Sequence, residues 1–331
     1  MKRLVVFFYL VLCSVLLHAQ NANRFYWPTS SGAVVEKSHY VLSYSEAHEQ
    51  AEWVFYELTR QEAMGGYERT NNFRADGAIS TGSASLADYK GSGYDRGHLA
   101  PAGDMAFSTV AMSESFYMSN MSPQHPSFNR GIWRQLESLV RAWAQDDGDL
   151  FVVTGAILED GLPTIGVNRV SIPKYYYKVV LDWDNNGQEV RSIAFVLPNQ
   201  KGVGKLYDYA VSIDSVEALT GIDFFASFSD DLEAQFESTV TGSWDYSLKP
   251  VSRSYQKSNE TAASRCKGTT QSGRQCKRTT KSESGYCWQH ESQAKSPSSK
   301  GSSVRCSAYT QSGNRCKRMT KNLSGKCWQH E

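Results

Sequence analysis

Hydrophobic and polar positions alternate from His39 to Tyr44, and this pattern predicts a strand. Ser45 is a suitable N-cap for a helix that would end at Gly65-Gly66. The apolar residues between these points recur at helical spacing: Ala47, Ala51, Val54, Phe55 and Leu58. This part of the chain therefore predicts a strand followed by a scaffold helix.

Further elements follow the same two periodicities. Residues 150–155 form an apolar run typical of a buried strand. Residues 170–183 predict a long strand, which an Asp-Asn-Asn-Gly turn joins to another over residues 189–197. Asp214 can cap a short helix that ends at Gly221. Since strands and helices do not alternate strictly, the pattern favours an α+β body.

One polar stretch interrupts this scaffold at residues 94–104, which read Tyr-Asp-Arg-Gly-His-Leu-Ala-Pro-Ala-Gly-Asp. The stretch is too polar for a core strand and too interrupted for a helix. It is typical of a strand that ends by presenting a histidine, His98, to a cleft. A second polar pattern repeats every four positions in a helix-like segment, at Asn129, Trp133, Glu137 and Arg141.

These residue types fit phosphodiester hydrolysis, which requires an activated water, a cation and positioning groups. His98 can act as the base because its reference pKa is near neutrality. Asn129 offers a hard carbonyl oxygen to Mg²⁺, Glu137 can hold water bound to the metal, and Arg141 can reach a phosphate. Each residue also has a structural interpretation: a packed histidine, a helix cap and a surface Glu–Arg pair.

The combination of motifs, rather than any single one, resembles the family of DNA/RNA non-specific endonucleases. The resemblance extends from about residue 40 to residue 244. It rests on the following sequences: Asp95-Arg-Gly-His98 followed by Pro101, Ser119-Asn-Met-Ser-Pro-Gln, Asn129-x-x-x-Trp133-x-x-x-Glu137, Thr154-Gly, Ile172-Pro-Lys, Phe195-Val-Leu-Pro-Asn and Thr220-Gly-Ile-Asp-Phe-Phe.

The resemblance implies a ββα-metal (His-Me finger) nuclease with a mixed sheet and flanking helices, in which two strands and a helix enclose the metal. It implies a Mg²⁺ or Mn²⁺ cofactor, DNA and RNA as substrates, and 5′-phosphate products. By the same resemblance, His98 is the general base, Asn129 binds the metal directly, and Glu137 contacts it through water. Arg96 and Arg141 would contact phosphate or organise the site.

The substrate-binding residues expected from this resemblance are Asp95 and one upstream arginine, either Arg69 or Arg74. Two other functions are compatible with the same motifs. One is a phosphodiesterase that acts on small nucleotides, and the other is a nucleic-acid-binding protein whose nuclease body has decayed. Against decay, every residue that the chemistry needs is present.

The first 19 residues have a basic start, an apolar run from Leu4 to Leu17, and a small residue at Ala19. This arrangement predicts a secretory signal peptide rather than a membrane span, because the run is short and polar residues follow it. Cys13 follows the bulky Leu12, which argues against a lipoprotein. We therefore expect a secreted or periplasmic protein with no membrane segment in its mature form; the sequence does not indicate an oligomeric state.

Charge is distributed unevenly along the chain. Residues 253–331 contain 16 Lys/Arg and 4 Asp/Glu, whereas the remainder contains 19 and 30. An acidic body with a basic tail indicates a polyanionic partner for the tail, or else a solvated disordered segment. A nucleic acid is one candidate partner and a cell-surface polymer is another.

The tail contains two copies of one cysteine-rich unit, offset by 40 residues. The first copy places Cys266, Cys276, Cys287 and His290, and the second places Cys306, Cys316, Cys327 and His330. Each copy is too small for a core of its own, and three thiolates with one imidazole are typical of a structural Zn²⁺ site. Disulfides are the alternative in an oxidising compartment, although they would leave one cysteine over in each copy.

These patterns predict seven segments. They are a signal peptide at 1–19, an N-terminal segment at 20–38, the nuclease domain at 39–248, a linker at 249–264, the first Cys3His repeat at 265–291, a second linker at 292–304 and the second repeat at 305–331.

Overall fold

The structure is a computed structural model that describes residues 24–183, 190–202, 204–251, 264–270, 273–280, 284–287, 290, 293, 304–305 and 318–320. The chain divides into two compact units, residues 1–256 and residues 257–331. No helix in these described ranges is both long and apolar enough to cross a membrane.

The body is built on one seven-stranded sheet with the order β1-β2-β3-β6-β9-β10-β11. Every ladder of this sheet is antiparallel, and a parallel bridge joins Arg74 to Tyr117 outside it. The strands are β1 Ala33–Glu36, β2 Val41–Ser45, β3 Gln50–Leu58, β6 Leu150–Ala156, β9 Tyr175–Asp182, β10 Arg191–Pro198 and β11 Ala210–Val211. Two further antiparallel strand pairs of the body lie outside this sheet: β4 Asp95–His98 with β5 Met121–Gln124, and β7 Thr164–Ile165 with β8 Val170–Ser171.

Helices cover the sheet and connect its strands, and together these elements confirm the expected α+β body. The α-helices are Arg60–Ala63, Leu86–Tyr89, Thr109–Glu114, Pro126–Phe128, Arg134–Asp146, Ile213–Thr220 and Asp230–Phe236. Met118–Asn120 and Leu206–Tyr209 form 3₁₀ turns, and Asn129–Trp133 is π-helical.

The helix expected after Ser45 is wrong, because this segment forms the central strand β3. Both faces of β3 are buried: Val54 and Tyr56 pack in one core, whereas Trp53 and Phe55 pack in the other. A strand covered on both faces has apolar residues without strict alternation, so its pattern is easily mistaken for that of a helix. A turn with Glu49 at φ +53° separates it from β2.

Other expected elements are found with shifted bounds. The long strand expected over 170–183 is interrupted at Ile172-Pro-Lys and resumes as β9. The helix Ile213–Thr220 is capped by Ser212 rather than Asp214, and it ends at Gly221 in the left-handed conformation, φ +69°. The turn expected at 184–187 lies outside the described residues.

The two faces of the sheet carry different cores. One face packs against the helix Arg134–Asp146 through Leu136, Val140 and Trp143. The other face packs against the helices Ile213–Thr220 and Asp230–Phe236 through Ile213 and Phe236. The sheet is therefore a rigid central layer that holds the helix Arg134–Asp146 on one side.

The second unit contains two small hairpins with the same 40-residue offset as the sequence repeat. β12 Ser264–Arg265 pairs with β13 Thr279–Thr280, and β14 Val304–Arg305 pairs with β15 Met319–Thr320. The residue ladders correspond position by position, so the 40-residue offset of the sequence also holds for these paired strands.

Candidate active site

Two strands and the helical segment that follows them carry most of the predicted site. β4 pairs antiparallel with β5, so that Asp95 lies opposite Gln124 and His98 lies opposite Met121. The chain then continues through Pro126–Phe128 and Asn129–Trp133 into the helix Arg134–Asp146. This order is the ββα unit that the sequence implied.

His98 ends β4 and is buried, with 7% of its surface exposed. Its ring packs edge-to-face on Phe116, with centroids 4.9 Å apart, and also contacts Phe73. Burial, together with the charges of Arg69 and Arg96, lowers the pKa of His98 to about 3, so the imidazole is neutral. Its Nε2 atom has no hydrogen-bond partner among the described residues.

The side chain of Asn129 is oriented by Asp95. Asn129 Nδ2 donates a hydrogen bond of 2.9 Å to Asp95 Oδ2, so the amide oxygen is the atom left to bind a cation. Arg130 holds the same carboxylate, with Nε 2.8 Å from Oδ2 and Nη2 2.6 Å from Oδ1. Asp95, which the resemblance predicts to bind substrate, contacts Asn129 and Arg130 in this structure.

Gly97 is required by the packing between β4 and β5. A Cβ atom at this position would lie 2.1 Å from the amide of Gln124, whose side chain lies across the glycine. The amide of Gln124 is buried and makes no hydrogen bond within the described structure. Any side chain at position 97 would therefore push Gln124 away and disturb the strand that carries His98.

Two residues of the Ser119-Asn-Met-Ser-Pro-Gln sequence form hydrogen bonds near the end of β4. Asn120 Oδ1 accepts from Ala100 N at 2.8 Å, and its Nδ2 donates to the carbonyl oxygens of Ala100 and Ser115. Ser119 Oγ donates to Asp76 Oδ2 at 2.6 Å. Asn120 therefore fixes the backbone immediately after His98.

Glu137 lies on the helix Arg134–Asp146 beside a buried lysine that the sequence reasoning missed. Lys178 is fully buried on β9; its Nζ donates to Thr154 Oγ1 and lies 5.3 Å from the centre of the Trp133 ring. Burial raises the pKa of Glu137 and lowers that of Lys178, while each charge stabilises the other. The available signal was a lysine between Tyr176 and Val180, on the core-facing side of an otherwise apolar strand.

Arg141 forms a buried ion pair. Its Nε and Nη2 atoms lie 2.8 and 2.7 Å from Asp104 Oδ1, and Tyr56 donates to Asp104 Oδ2 at 2.7 Å. Gly103 makes room for the guanidinium, since a Cβ there would lie 2.4 Å from Arg141 Nη2. Arg141, expected to contact phosphate or organise the site, is held here on Asp104.

The other predicted arginines differ in their position relative to His98. Arg69 lies over the Phe116 ring at 4.7 Å, and its charge acts on both His98 and Glu137. Arg96 lies over Phe73 at 4.1 Å and lines a surface pocket of about 380 Å³.

Arg74 instead lies over Tyr117 at 3.8 Å and donates to the carbonyl oxygens of Ser113 and Asn72. The structure therefore brings Arg69, and not Arg74, to His98.

The expected four-residue step along one helical face does not hold throughout. Gly131 has non-helical angles, φ −106° and ψ −114°, within the π-helical turn that contains Asn129. The regular helix begins beyond this break, with Trp133 as its N-cap, so Glu137 and Arg141 follow its repeat. Asn129 belongs to the preceding turn and faces Asp95.

A second candidate site lies in the first Cys3His repeat. Cys266, Cys276, Cys287 and His290 each offer a ligand atom, and these atoms lie within 4.8 Å of one another. His290 Nδ1 is 3.5 Å from Cys266 Sγ and 3.4 Å from Cys287 Sγ, and the Sγ atoms of Cys276 and Cys287 are 3.9 Å apart. A tetrahedral Zn²⁺ with bonds of about 2.3 Å to sulfur and 2.0 Å to nitrogen requires separations of about 3.5–3.8 Å.

No disulfide joins the three cysteines of this described repeat. Burial would raise the pKa of the Cys266 thiol, but the amides of Cys287 and Gly268 and the His290 ring outweigh it and lower this pKa to about 6. The donor set therefore fits a metal ion. Cys306, Cys316, Cys327 and His330 lie outside the described residues.

Comparison with known proteins agrees with this geometry. Residues 18–231 match the sequence profile of the DNA/RNA non-specific endonuclease family. A nuclease of Nostoc sp. is 34% identical over 222 residues, which cover 64% of this chain and 80% of that protein. The mitochondrial nuclease EXOG of Xenopus laevis is 35% identical over 209 residues, which cover 58% of each protein.

A solved structure shares the fold. The crystal structure of the EndoG/EndoGI complex aligns with a TM-score of 0.58 and 31% sequence identity, covering 62% of this chain and 91% of that chain. The chain therefore belongs to the DNA/RNA non-specific endonuclease family, and its body is a ββα-metal nuclease that hydrolyses phosphodiester bonds. The resemblance read from the sequence motifs is confirmed.

Proposed function

We propose that this protein is a Mg²⁺-dependent endonuclease that cleaves DNA and RNA with little sequence preference and leaves 5′-phosphate ends. One arrangement carries the proposal: a neutral, buried His98 with an unpartnered Nε2 shares a ββα unit with Asn129, whose amide is oriented by Asp95. Both features leave an atom available for chemistry where the surrounding residues are already fixed.

The residues fit a hard cation. Asn129 would hold Mg²⁺ through its amide oxygen, and Glu137 would act as a more distant oxygen donor through water. The bound ion would neutralise charge that develops on the phosphate and the leaving 3′-oxygen.

His98 supplies the base. Its neutral Nε2 accepts a proton from the water that attacks phosphorus in line with the leaving oxygen. Burial, together with the charges of Arg69 and Arg96, lowers the pKa of His98 in the free protein. A phosphate bound against these two arginines offsets their charge, so substrate binding strengthens the base at the moment when it is needed.

Digestion assays test this mechanism. Plasmid DNA and RNA should be cleaved by the wild type with Mg²⁺ and not with EDTA, and His98→Ala should lower the rate about 10²–10⁴-fold. His39→Ala, at an exposed histidine, is the matched control and should retain the wild-type rate. Undiminished cleavage by His98→Ala would reject the mechanism, and faster turnover of bis(p-nitrophenyl) phosphate than of plasmid would favour a small-nucleotide phosphodiesterase.

We also propose that the protein is secreted or periplasmic, and that its tail binds Zn²⁺ and nucleic acid. The predicted signal peptide supports the location, and the clustered thiols and imidazole support Zn²⁺. The basic tail would concentrate substrate near an acidic body. Lys277, Arg278, Lys317 and Arg318 are the residues that we expect to contact phosphate.

A further inference from the structure

Two helices on the side of the sheet remote from the helix Arg134–Asp146 bring several carboxylates together. Asp214 and Glu217 lie three residues apart on Ile213–Thr220, while Glu233 and Glu237 lie on and just beyond Asp230–Phe236. The backbone of Asp214 donates to the carbonyl oxygen of Glu237 at 3.2 Å. This bond holds the start of one helix against the end of the other.

The side chains converge as well. One carboxylate oxygen from each of Asp214, Glu217 and Glu237 lies within 4.8 Å of the other two. Glu217 is fixed because its Oε1 accepts from Phe224 N at 2.8 Å. Asp214 is exposed, so water can reach the same point from outside.

One oxygen of the buried carboxylate has no hydrogen-bond partner in the described part of the chain. Glu237 is only 5% exposed, and its Oε1 makes no hydrogen bond among the described residues. The Oε1 atom of Glu233 likewise makes no hydrogen bond among the described residues. A buried carboxylate oxygen without a donor is costly, since it has lost water and gained nothing in exchange.

The described residues also supply no ion-pair partner to these carboxylates. None of the ion pairs in the described structure involves Asp214, Glu217, Asp223, Glu233 or Glu237. Burial and the charges of Glu217, Glu233, Asp214 and Asp223 raise the pKa of Glu237 to about 8. A proton on Glu237 would relieve the repulsion and could be shared with a neighbouring carboxylate, so proton sharing is the alternative to a bound cation.

We propose that Asp214, Glu217 and Glu237 bind a Ca²⁺ ion at this junction. Ca²⁺ accepts several carboxylate oxygens, singly or in pairs, in a flexible shell that water can complete. Mg²⁺ demands a near-octahedral shell, retains most of its waters and usually takes one or two carboxylates, so it suits Asn129 better than this group. The ion fastens the helix Ile213–Thr220 to the end of Asp230–Phe236, and it takes no part in the cleavage step.

Calcium titration of the full chain tests this site. The protein, with its tail loaded with Zn²⁺, is passed over a chelating resin and then titrated with CaCl₂, while binding and thermal unfolding are recorded. Asn129→Ala removes the proposed active-site ligand, and this variant should still bind one equivalent of Ca²⁺. At a Ca²⁺ concentration ten times Kd, its unfolding midpoint should rise by about 3–6 °C.

Glu237→Gln keeps the shape of the side chain and should abolish both the binding and the shift. Without Ca²⁺, this variant should unfold at or above the wild-type midpoint, because its neutral amide does not repel the neighbouring carboxylates and its Nε2 can donate to them. Asp214→Asn, at an exposed position that folding tolerates, should also abolish the shift. Glu46→Gln, on an exposed turn, should leave it unchanged.

Each remaining result overturns the proposal. A wild type without any calcium-dependent shift would mean that the carboxylates share protons only. A shift that survives in both Glu237→Gln and Asp214→Asn would place the ion elsewhere. A shift that disappears in Asn129→Ala and persists in Glu237→Gln would assign Ca²⁺ to the active site.

Discussion

Asp95 illustrates how a residue can act on the site through the side chain that it orients. It accepts from Asn129 Nδ2, which fixes the direction of the amide oxygen. We expect Asp95→Ala to lower activity about 10–100-fold at limiting Mg²⁺, with partial recovery when Mg²⁺ is raised. Asp95→Asn retains an acceptor oxygen and should recover most of the loss.

The control for this prediction is the exposed partner of the same carboxylate. Arg130→Ala removes an ion pair whose arginine is solvent-exposed; such a pair contributes little, and its loss should change the Mg²⁺ dependence less than about twofold. Measuring the rate against Mg²⁺ concentration for the three variants separates the two contacts. Equal losses for Asp95→Ala and Arg130→Ala would show that Asp95 acts through its ion pair.

Arg69 and Arg74 lead to opposite expectations. Arg69→Ala should lower kcat/KM roughly 10–100-fold, because a charge near the phosphate is lost. It should also raise the pKa of His98 towards its ordinary value, so the acidic limb of the pH profile moves to higher pH. Arg69→Lys keeps the charge and should leave the limb in place.

Arg74→Ala should instead affect folding. The guanidinium donates to Ser113 and Asn72 and covers the Tyr117 ring, so its loss should cost about 1–3 kcal/mol of unfolding free energy. The folded fraction should cleave plasmid at the wild-type rate with an unshifted pH profile. A shifted acidic limb in Arg74→Ala would contradict this division.

At the scale of elements, the packing of the β4–β5 strand pair depends on one glycine and one glutamine. Gly97→Ala should cost about 1–3 kcal/mol of unfolding free energy and lower activity, because its methyl group would overlap Gln124. Adding Gln124→Ala removes the overlapping side chain, so the double variant should recover stability. Denaturant unfolding of the four proteins in this cycle gives the interaction energy, and a purely additive result would rule out the steric explanation.

Some of these elements could be predicted from the sequence and others could not. The His98 strand and the Leu150–Ala156 strand could be predicted because each has a distinct local pattern. β3 could not, since burial on both faces hides the alternation of a strand. Motifs also led to the prediction that Asn129 and His98 share one site, and the structure places both in one ββα unit. The contacts of Asp95 and Lys178 could not be predicted, because they depend on which distant residues the fold brings together.

At the scale of the whole molecule, the tail should add affinity but no chemistry. Val251 exchanges two hydrogen bonds with Gln145, so the body extends past the expected boundary at 248 and a truncation should keep residues up to 256. Removing residues 257–331 should weaken DNA binding and flatten its salt dependence by about 0.9 for every phosphate that the tail neutralises in the full protein. The cleavage rate at saturating DNA should not change.

The salt slope supplies the decisive comparison for that truncation. Equal affinity and an equal slope for the full and truncated proteins, measured from about 50 to 200 mM salt, would reject a tether to nucleic acid. Binding of a cell-surface polymer by the full chain, together with that result, would support the other polyanionic partner.

The thiols of the tail distinguish Zn²⁺ from disulfides. Of the seven cysteines, six follow Cys13. In protein purified without reductant, unfolding in EDTA should release two Zn²⁺ per chain and expose six reactive thiols. Cys276→Ser should release one Zn²⁺. Fewer free thiols with no Zn²⁺ would identify disulfides.

The break at Gly131 affects how such a site can change by insertion and deletion. In a regular helix, one added or lost residue rotates everything on its far side by about 100°. The π-helical turn that contains Asn129 confines such a rotation to itself, because Glu137 and Arg141 are fixed beyond the break by Lys178 and Asp104. An insertion or deletion within this turn should therefore re-orient Asn129 and leave Glu137 and Arg141 in place on the helix that supports the core.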